Sequence, residues 1–202
     1  MLIIGITGGI ACGKTEVAKV FREKGAMVLS GDQIGKEVVE KDRVVLRELV
    51  RTFGQDILSE NGTLNRHKLG EIAFASDETR DRLNKIIHPP LLKELRRKIQ
   101  SIGKKTPEAV VVIDAALIVE WGLEKELDYL IFVESKEEDK ISRLQKEKGY
   151  SRKEALDRIR SQLPEKVKEK KADVVVKNDE GLAELRITAD RVWKLFVLDF
   201  VE

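Results

Sequence analysis

The segment that most limits how this chain can fold is "LIIGITGGIACGKTEVAKVF", residues 2–21. An unbroken apolar, β-rich run, of the kind expected for a strand buried on both faces, stops at Gly8 and Gly9. Lys14 and Thr15 follow Gly13 directly, and Val17, Val20 and Phe21 then return at helical spacing until Gly25. Gly8-Gly9-Ile10-Ala11-Cys12-Gly13-Lys14-Thr15 meets the spacing G-x-x-x-x-G-K-S/T in full, between a predicted strand and a predicted helix, which is the context this motif requires. Such a stretch is a phosphate-binding loop. Its glycines let the backbone curl so that successive N–H groups point inward, and the following helix adds the positive end of its dipole. The loop and Glu16 just beyond it would surround the phosphates of a nucleoside triphosphate. Lys14 would reach the β- and γ-phosphates, and the Thr15 hydroxyl would ligate Mg²⁺. The dinucleotide spacing G-x-G-x-x-G is absent. Cys12 could be a nucleophile, but with no activating histidine evident it reads as a small residue lining the loop.

The rest of the chain supplies the sheet that such a loop needs. "AMVLSGD", "EAVVVIDAALIV", "LDYLIFVE" and "ADVVVKN" are further short β-rich runs, and helical patterns separate them. Strands alternating with helices predict a parallel sheet with helices on both faces, a three-layer α/β/α fold. A long helical stretch, about residues 33–104, is expected to be interrupted by the turn-like "SENGT" and by His88-Pro89-Pro90. The last 20 or so residues form an amphipathic closing helix. The expected organisation is one domain over residues 1–202, with a nucleotide core (1–32, 106–135, 172–202), a helical lobe (33–105) and a lid (136–171).

Two carboxylates stand at strand ends, where sheets of this kind place ligands. Asp32 is expected to close the second strand, as a base for an acceptor hydroxyl and a water-mediated Mg²⁺ contact, or else as the N-cap of the helix starting at Gln33. Asp114 follows four apolar residues, the pattern of a strand whose terminal carboxylate supports magnesium, or of a strand-end turn. Residues 136–171 hold 13 basic and 8 acidic side chains in a chain whose net charge is only +2. They suit a closing lid that brings cations to phosphates, although most of these charges are expected to be a solvated helix face.

Taken together and in order, these pieces resemble the dephospho-coenzyme A kinase family, P-loop kinases of the nucleoside monophosphate kinase type, from Leu2 to at least Asn178. "GITGGIACGKT" is similar to the family's opening loop and "VLSGDQIGKEV" to its next strand and acidic turn. "GTLNRHKLGEIAF" resembles its G-x-L-D/N-R segment, "LNKIIHPPL" its I-x-H-P, and "AALIVEWGL" its P-L-L-x-E-x-G-L. "SRLQKEKGYSRKEALDRIRSQLPEKVKEKKADVVVKN" resembles its lid, its R-I-x-x-Q helix and its A-D-x-V-I-x-N strand. The resemblance implies transfer of the ATP γ-phosphate to the ribose 3′-hydroxyl of dephospho-coenzyme A, with Asp32 as base and Lys14 on the phosphates. By matched position it puts Arg66, His88 and Glu120 on or near the substrate side and Asn178 near the adenine. Each also has a structural reading: Arg66 in a surface ion pair, His88 as a helix-start device, Glu120 as a cap, Asn178 as a turn. The chain departs from the family in having Ser30 two residues before Asp32, Asp114 at an often apolar position, and Glu147 where the lid arginine usually stands. Arg143, Lys146 or Lys148 would have to supply that cation.

Other small-molecule or nucleotide kinases of the same fold, and a nucleotide-dependent regulatory binder with weak transfer, are the competing readings. A GTPase switch would carry N-K-x-D, which is absent. A nucleic-acid module is disfavoured by interspersed charge and by 5% aromatic residues. The single Cys12 precludes an internal disulfide and suits a reducing compartment. The short apolar start, without a basic flank, points away from a signal peptide or membrane span. The expectation is a cytoplasmic monomer or weak homo-oligomer.

Overall fold

The computed structural model describes residues 1–73 and 75–201, with side chains as far as Val197. Phe74, the last residue of "GTLNRHKLGEIAF", lies outside the described residues, as do Glu202 and the side chains that end the closing helix. Five parallel strands, β1 (Leu2–Gly8), β2 (Met27–Ser30), β3 (Val110–Asp114), β4 (Tyr129–Glu134) and β5 (Val174–Lys177), form one sheet in the order β2-β3-β1-β4-β5. β1 is central, and its neighbours are reached by crossovers to either side. Its C-terminal end is therefore the crevice where such sheets bind ligands.

The apolar runs predicted as buried strands are buried. Ile4, Ile6, Val111, Val112, Ile113, Ile131 and Val133 have no exposed surface. Helices α1 (Lys14–Glu23) and α9 (Leu182–Val201) pack together on the sheet, joining Val17, Ala18 and Phe21 to Leu185, Ala189 and Phe196 in one core. Phe21 meets Trp193 edge-on at 5.2 Å between centroids, and Tyr129 stacks on Phe196 at 4.1 Å. Each such side chain contributes roughly 1.5–3 kcal/mol by leaving water.

The described residues fall into two compact units, Met1–Ser30 with Ile102–Glu202, and Gly31–Ser101. The second holds α2 (Gly31–Lys41), α3 (Arg43–Phe53), α4 (Arg66–Ala73) and most of α5 (Asp77–Lys105). Asp42 separates α2 from α3 by capping: its Oδ1 accepts the N–H groups of Val44 at 2.8 Å and Val45 at 3.3 Å. The "SENGT" turn is present, closed by Ser59 N–H on the Thr63 carbonyl at 2.8 Å.

His88-Pro89-Pro90 does not interrupt the helix as expected from sequence. It lies inside the 29-residue α5. Two prolines within one turn remove neighbouring N–H donors, while buried Leu91 and Leu95 anchor the helix immediately beyond them. His88 is accordingly a mid-helix residue and not a helix-start device.

In the first unit, α6 (Glu137–Lys148), α7 (Arg152–Arg160) and α8 (Glu165–Glu169) come after β4. α7 starts with a capping box between Ser151 and Glu154. Ile141, Leu144 and Ala155 form a small core between α6 and α7, and Ile10 and Ala11 pack against it. Most charges in residues 136–171 are exposed, as expected, while Lys140 and Lys168 are buried. Among the described residues, no helix is long and apolar enough to cross a membrane.

Candidate active site

The loop from Gly8 to Gly13 leaves the end of β1 and delivers Lys14 as the first residue of α1. Two of its glycines are dictated by space as well as by conformation. At Gly8 (φ 147°) a Cβ would stand 2.3 Å from the Val133 carbonyl oxygen, and at Gly13 (φ 108°) 2.5 Å from Asn178 Nδ2. Backbone in the way of the first cannot yield, so Gly8 cannot carry a side chain without moving β4. Ala11 also takes a left-handed conformation, φ 58°, and is alone among described non-glycine residues in doing so.

Lys14 Nζ donates to the carbonyls of Gly9 at 2.7 Å and Gly8 at 3.3 Å, so its ammonium is folded back over the loop. Thr15 Oγ1 donates to Asp114 Oδ2 at 2.9 Å. Asp114 ends β3 beside Ile6 on one flank and Ser30 on the other, and it is buried. It is thus a strand-end carboxylate coupled to the loop threonine. Glu16, one residue further, pairs with Lys19 at 2.5 Å. Cys12 is fully buried in the sheet-side core, where its Sγ also meets the Lys14 ammonium at 3.7 Å.

Asn178 directly follows β5 and is buried. Its Nδ2 donates to the Cys12 carbonyl at 2.8 Å, and its own carbonyl accepts the Ser135 hydroxyl at 3.2 Å. A cavity of about 410 Å³ opens alongside, lined by Gly13, Lys14, Thr15, Arg143, Glu147 and Asn178, with Leu182 and Leu185 as apolar wall. Arg143 Nη1 reaches the Ala11 carbonyl at 2.9 Å and Ser135 Oγ at 3.2 Å. Of the cations considered for the lid, Arg143 therefore stands at the loop and the cavity. Lys146 and Lys148 are exposed further along α6 and do not line it.

The remaining sequence-predicted residues are differently placed. Asp32 does not end the strand: β2 stops at Ser30, and Asp32 lies in the first turn of α2, inside the helix instead of capping it. A carboxylate there is favoured by the helix dipole. Arg66 opens α4 and pairs with Glu40 at 2.8 Å while donating to the Lys36 carbonyl at 3.1 Å. Glu120 takes Lys168 Nζ at 2.7 Å and the Leu163 N–H at 3.1 Å. Lys168 also donates to the Ala116 carbonyl at 2.7 Å. Burial pulls the Lys168 ammonium below the ordinary lysine value, with Glu120 opposing that shift and Lys14 adding to it.

From sequence, Gln162 is matched only as the glutamine of R-I-x-x-Q, without a role, and Lys140 is not paired with Glu165. Gln162 Oε1 accepts the Ile10 N–H at 3.0 Å, and Glu165, held by Lys140 at 2.8 Å, lies over Gly9. The glutamine of "RIRSQ" is plain in the string, but nothing local to it names a partner 152 residues away.

The family model for dephospho-CoA kinase matches residues 2–184 of this chain. A dephospho-CoA kinase of Bacillus cereus is 38% identical over 193 residues, 96% of each chain. Among solved structures, a protein of Thermus thermophilus superposes with a TM-score of 0.77 at 29% identity, covering 96% of this chain and 97% of its own. A dephospho-CoA kinase from Campylobacter jejuni, at 24% identity and a TM-score of 0.68 over 94% of both chains, shares the fold. The five-stranded parallel sheet with its strand–loop–helix turn at the end of β1 is a P-loop kinase-like fold, and the chain belongs to the dephospho-CoA kinase family.

Proposed function

We propose that this protein transfers the γ-phosphate of ATP to the ribose 3′-hydroxyl of dephospho-coenzyme A, giving ADP and coenzyme A, the last step of coenzyme A synthesis. The observation that carries the reading is the loop itself. Lys14, the Thr15–Asp114 contact and the Arg143–Ala11 contact converge on one strand end beside a cavity with room for a nucleotide. Family membership supplies the acceptor.

The donor triphosphate would lie along the loop, its charge met by backbone N–H groups, the α1 dipole and Lys14, whose ammonium can turn from the Gly9 carbonyl to the phosphates. The base would lie between Leu182 and Leu185 on one side and Arg143 on the other, near Asn178. Mg²⁺ fits the hydroxyl of Thr15 and the carboxylate of Asp114. Among the described residues no cluster of three or more metal-binding side chains exists. Mg²⁺ does not require one, because it keeps water and takes phosphate oxygens beside one or two protein ligands. When bound it would neutralise charge on those oxygens.

Asp32 is the proposed base for the acceptor hydroxyl, with a water-mediated contact to Mg²⁺. Arg66 and His88 are proposed on the acceptor side, in a helical lobe over residues 33–105. Residues 136–171 are proposed as the lid, with Arg143 as its phosphate-side cation in place of the arginine that Glu147 replaces. Glu120 is proposed to serve the acceptor side through the segment it anchors. The protein is proposed to act on small molecules in the cytoplasm, as a monomer or weak homo-oligomer and without nucleic acid; the free, buried Cys12 is compatible with a reducing compartment.

The test is an acceptor panel with ATP and Mg²⁺: dephospho-coenzyme A, adenosine and shikimate in parallel. ADP is expected with dephospho-coenzyme A alone, and preferential turnover of another acceptor would reject the assignment. In the same assay Asp32→Asn should lower kcat by about 10²-fold while leaving ATP affinity within about twofold. Unchanged kcat would remove Asp32 from the chemistry.

A further inference from the structure

The crest of the phosphate loop is held from outside at two consecutive residues. The Ile10 N–H is taken by Gln162 Oε1 at 3.0 Å, and the Ala11 carbonyl by Arg143 at 2.9 Å. Between those two bonds lies the left-handed turn of Ala11, a conformation that an alanine does not adopt for its own sake. The side chains of Ile10 and Ala11 also pack on the α6–α7 core. Gln162 itself is fixed by its C-terminal neighbours: Leu163 N–H on Glu120, Glu165 on Lys140, and Lys168 on Glu120 and the Ala116 carbonyl. Residues 162–168 thus form a strap anchored to the sheet end.

We infer that Gln162 is a positioning residue for the phosphate loop: its side-chain carbonyl holds the Ile10 amide and, with Arg143, keeps the turn at Ala11 formed, so that the triphosphate meets a loop already curled. This rests on the reading of the loop as the ATP site. A neutral acceptor suits the place, because it satisfies a backbone N–H without setting another negative charge beside phosphates. The neighbouring carboxylate, Glu165, is neutralised by Lys140. Preorganised donors spare the reorganisation that a slack loop would need on binding.

The test compares the full-length protein with Gln162→Met, which keeps the side chain's length and loses the acceptor, and Gln162→Glu, which restores an acceptor. Three quantities are read: Ile10 amide exchange in the nucleotide-free protein, ATP affinity by calorimetry with Mg²⁺, and the separate KM values for ATP and dephospho-coenzyme A. Gln162→Met should exchange Ile10 faster and weaken ATP roughly five- to tenfold, the scale of one lost hydrogen bond, with KM for the acceptor unchanged. Gln162→Glu should return the slow exchange. Unaltered exchange and ATP affinity in Gln162→Met would overturn the inference. So would equal rises in both KM values, the mark of a general structural defect. If Gln162→Met fails to fold, Gln162→Glu decides: fast Ile10 exchange in that variant would overturn the inference, and slow exchange would uphold it. A wild-type protein that binds ATP and does not phosphorylate dephospho-coenzyme A would reject the functional reading, and the exchange and affinity arms would still decide the role of Gln162.

Discussion

Lys14→Ala should lose about 10²- to 10³-fold in kcat, the scale of removing one charge-stabilising donor from a phosphoryl- or acyl-transfer site. Stability should change by no more than about 1 kcal/mol, because the ammonium's main partners are the Gly8 and Gly9 carbonyls, which water can serve, beside a long contact of 3.7 Å to Cys12 Sγ. The loss belongs in the transferring group. Charge spreads onto the phosphoryl oxygens as the bond to the leaving ADP loosens, so a cation placed there contributes more in the transition state than in ground-state binding. Steady-state kinetics with a denaturation midpoint alongside checks both halves. Near-normal turnover would contradict the assignment of this loop, and collapse of the fold would show that Lys14 is structural.

The second large effect falls on stability. Glu120→Ala leaves Lys168 fully buried with its counter-ion gone and the Leu163 N–H uncapped. Breaking one side of a buried pair costs about 3 kcal/mol or more, whereas replacing both partners by apolar groups is often neutral. Glu120→Ala should therefore lower the denaturant midpoint strongly, and adding Lys168→Met should recover most of it. The pH dependence has a defined sign. The folded-state pKa of Lys168 lies below the ordinary lysine value of 10.5, so in the window beneath 10.5 the unfolded chain binds more protons and this group's contribution to stability rises with pH. Without Glu120 that pKa falls further, and the deficit of Glu120→Ala should shrink as the medium becomes more alkaline. A midpoint unmoved by Glu120→Ala would mean that the pair does not hold the strap.

What the sequence made legible is local. The strand–loop–helix turn is written in eight adjacent residues, so the string alone locates Gly8, Gly13, Lys14 and Thr15 on it, and the structure has that turn. Buried parallel strands were readable as apolar runs for the same reason. Asp114 was readable only as one of two things, and the Thr15 hydroxyl at 2.9 Å resolves its surroundings. The family resemblance implies a place for Asn178 near the adenine, and the cavity beside the loop is where the structure has it. Its amide, however, is spent on the Cys12 carbonyl, a loop-holding role that strand-end position alone does not reveal. In the charged run 136–171 most charges are exposed, as expected, but periodicity reports which face is polar, not which lysine tip finds a carboxylate under the surface. Lys140 and Lys168 did so through Glu165 and Glu120. His88-Pro89-Pro90 misled because proline's local penalty was outweighed by packing on the far side, at Leu91 and Leu95. Gln162 has no chemistry of its own to announce it, and only the fold brings it to Ile10.

Chemical identity of the product is the most direct test of dephospho-coenzyme A kinase activity in this protein. Purified protein with ATP, Mg²⁺ and dephospho-coenzyme A should be followed by phosphorus NMR and mass-resolved chromatography. The expected result is a new phosphomonoester on the ribose 3′ position, with coenzyme A and ADP appearing in equal amounts. ADP without the 3′-phosphate, or a phosphate placed elsewhere on the acceptor, would contradict that activity.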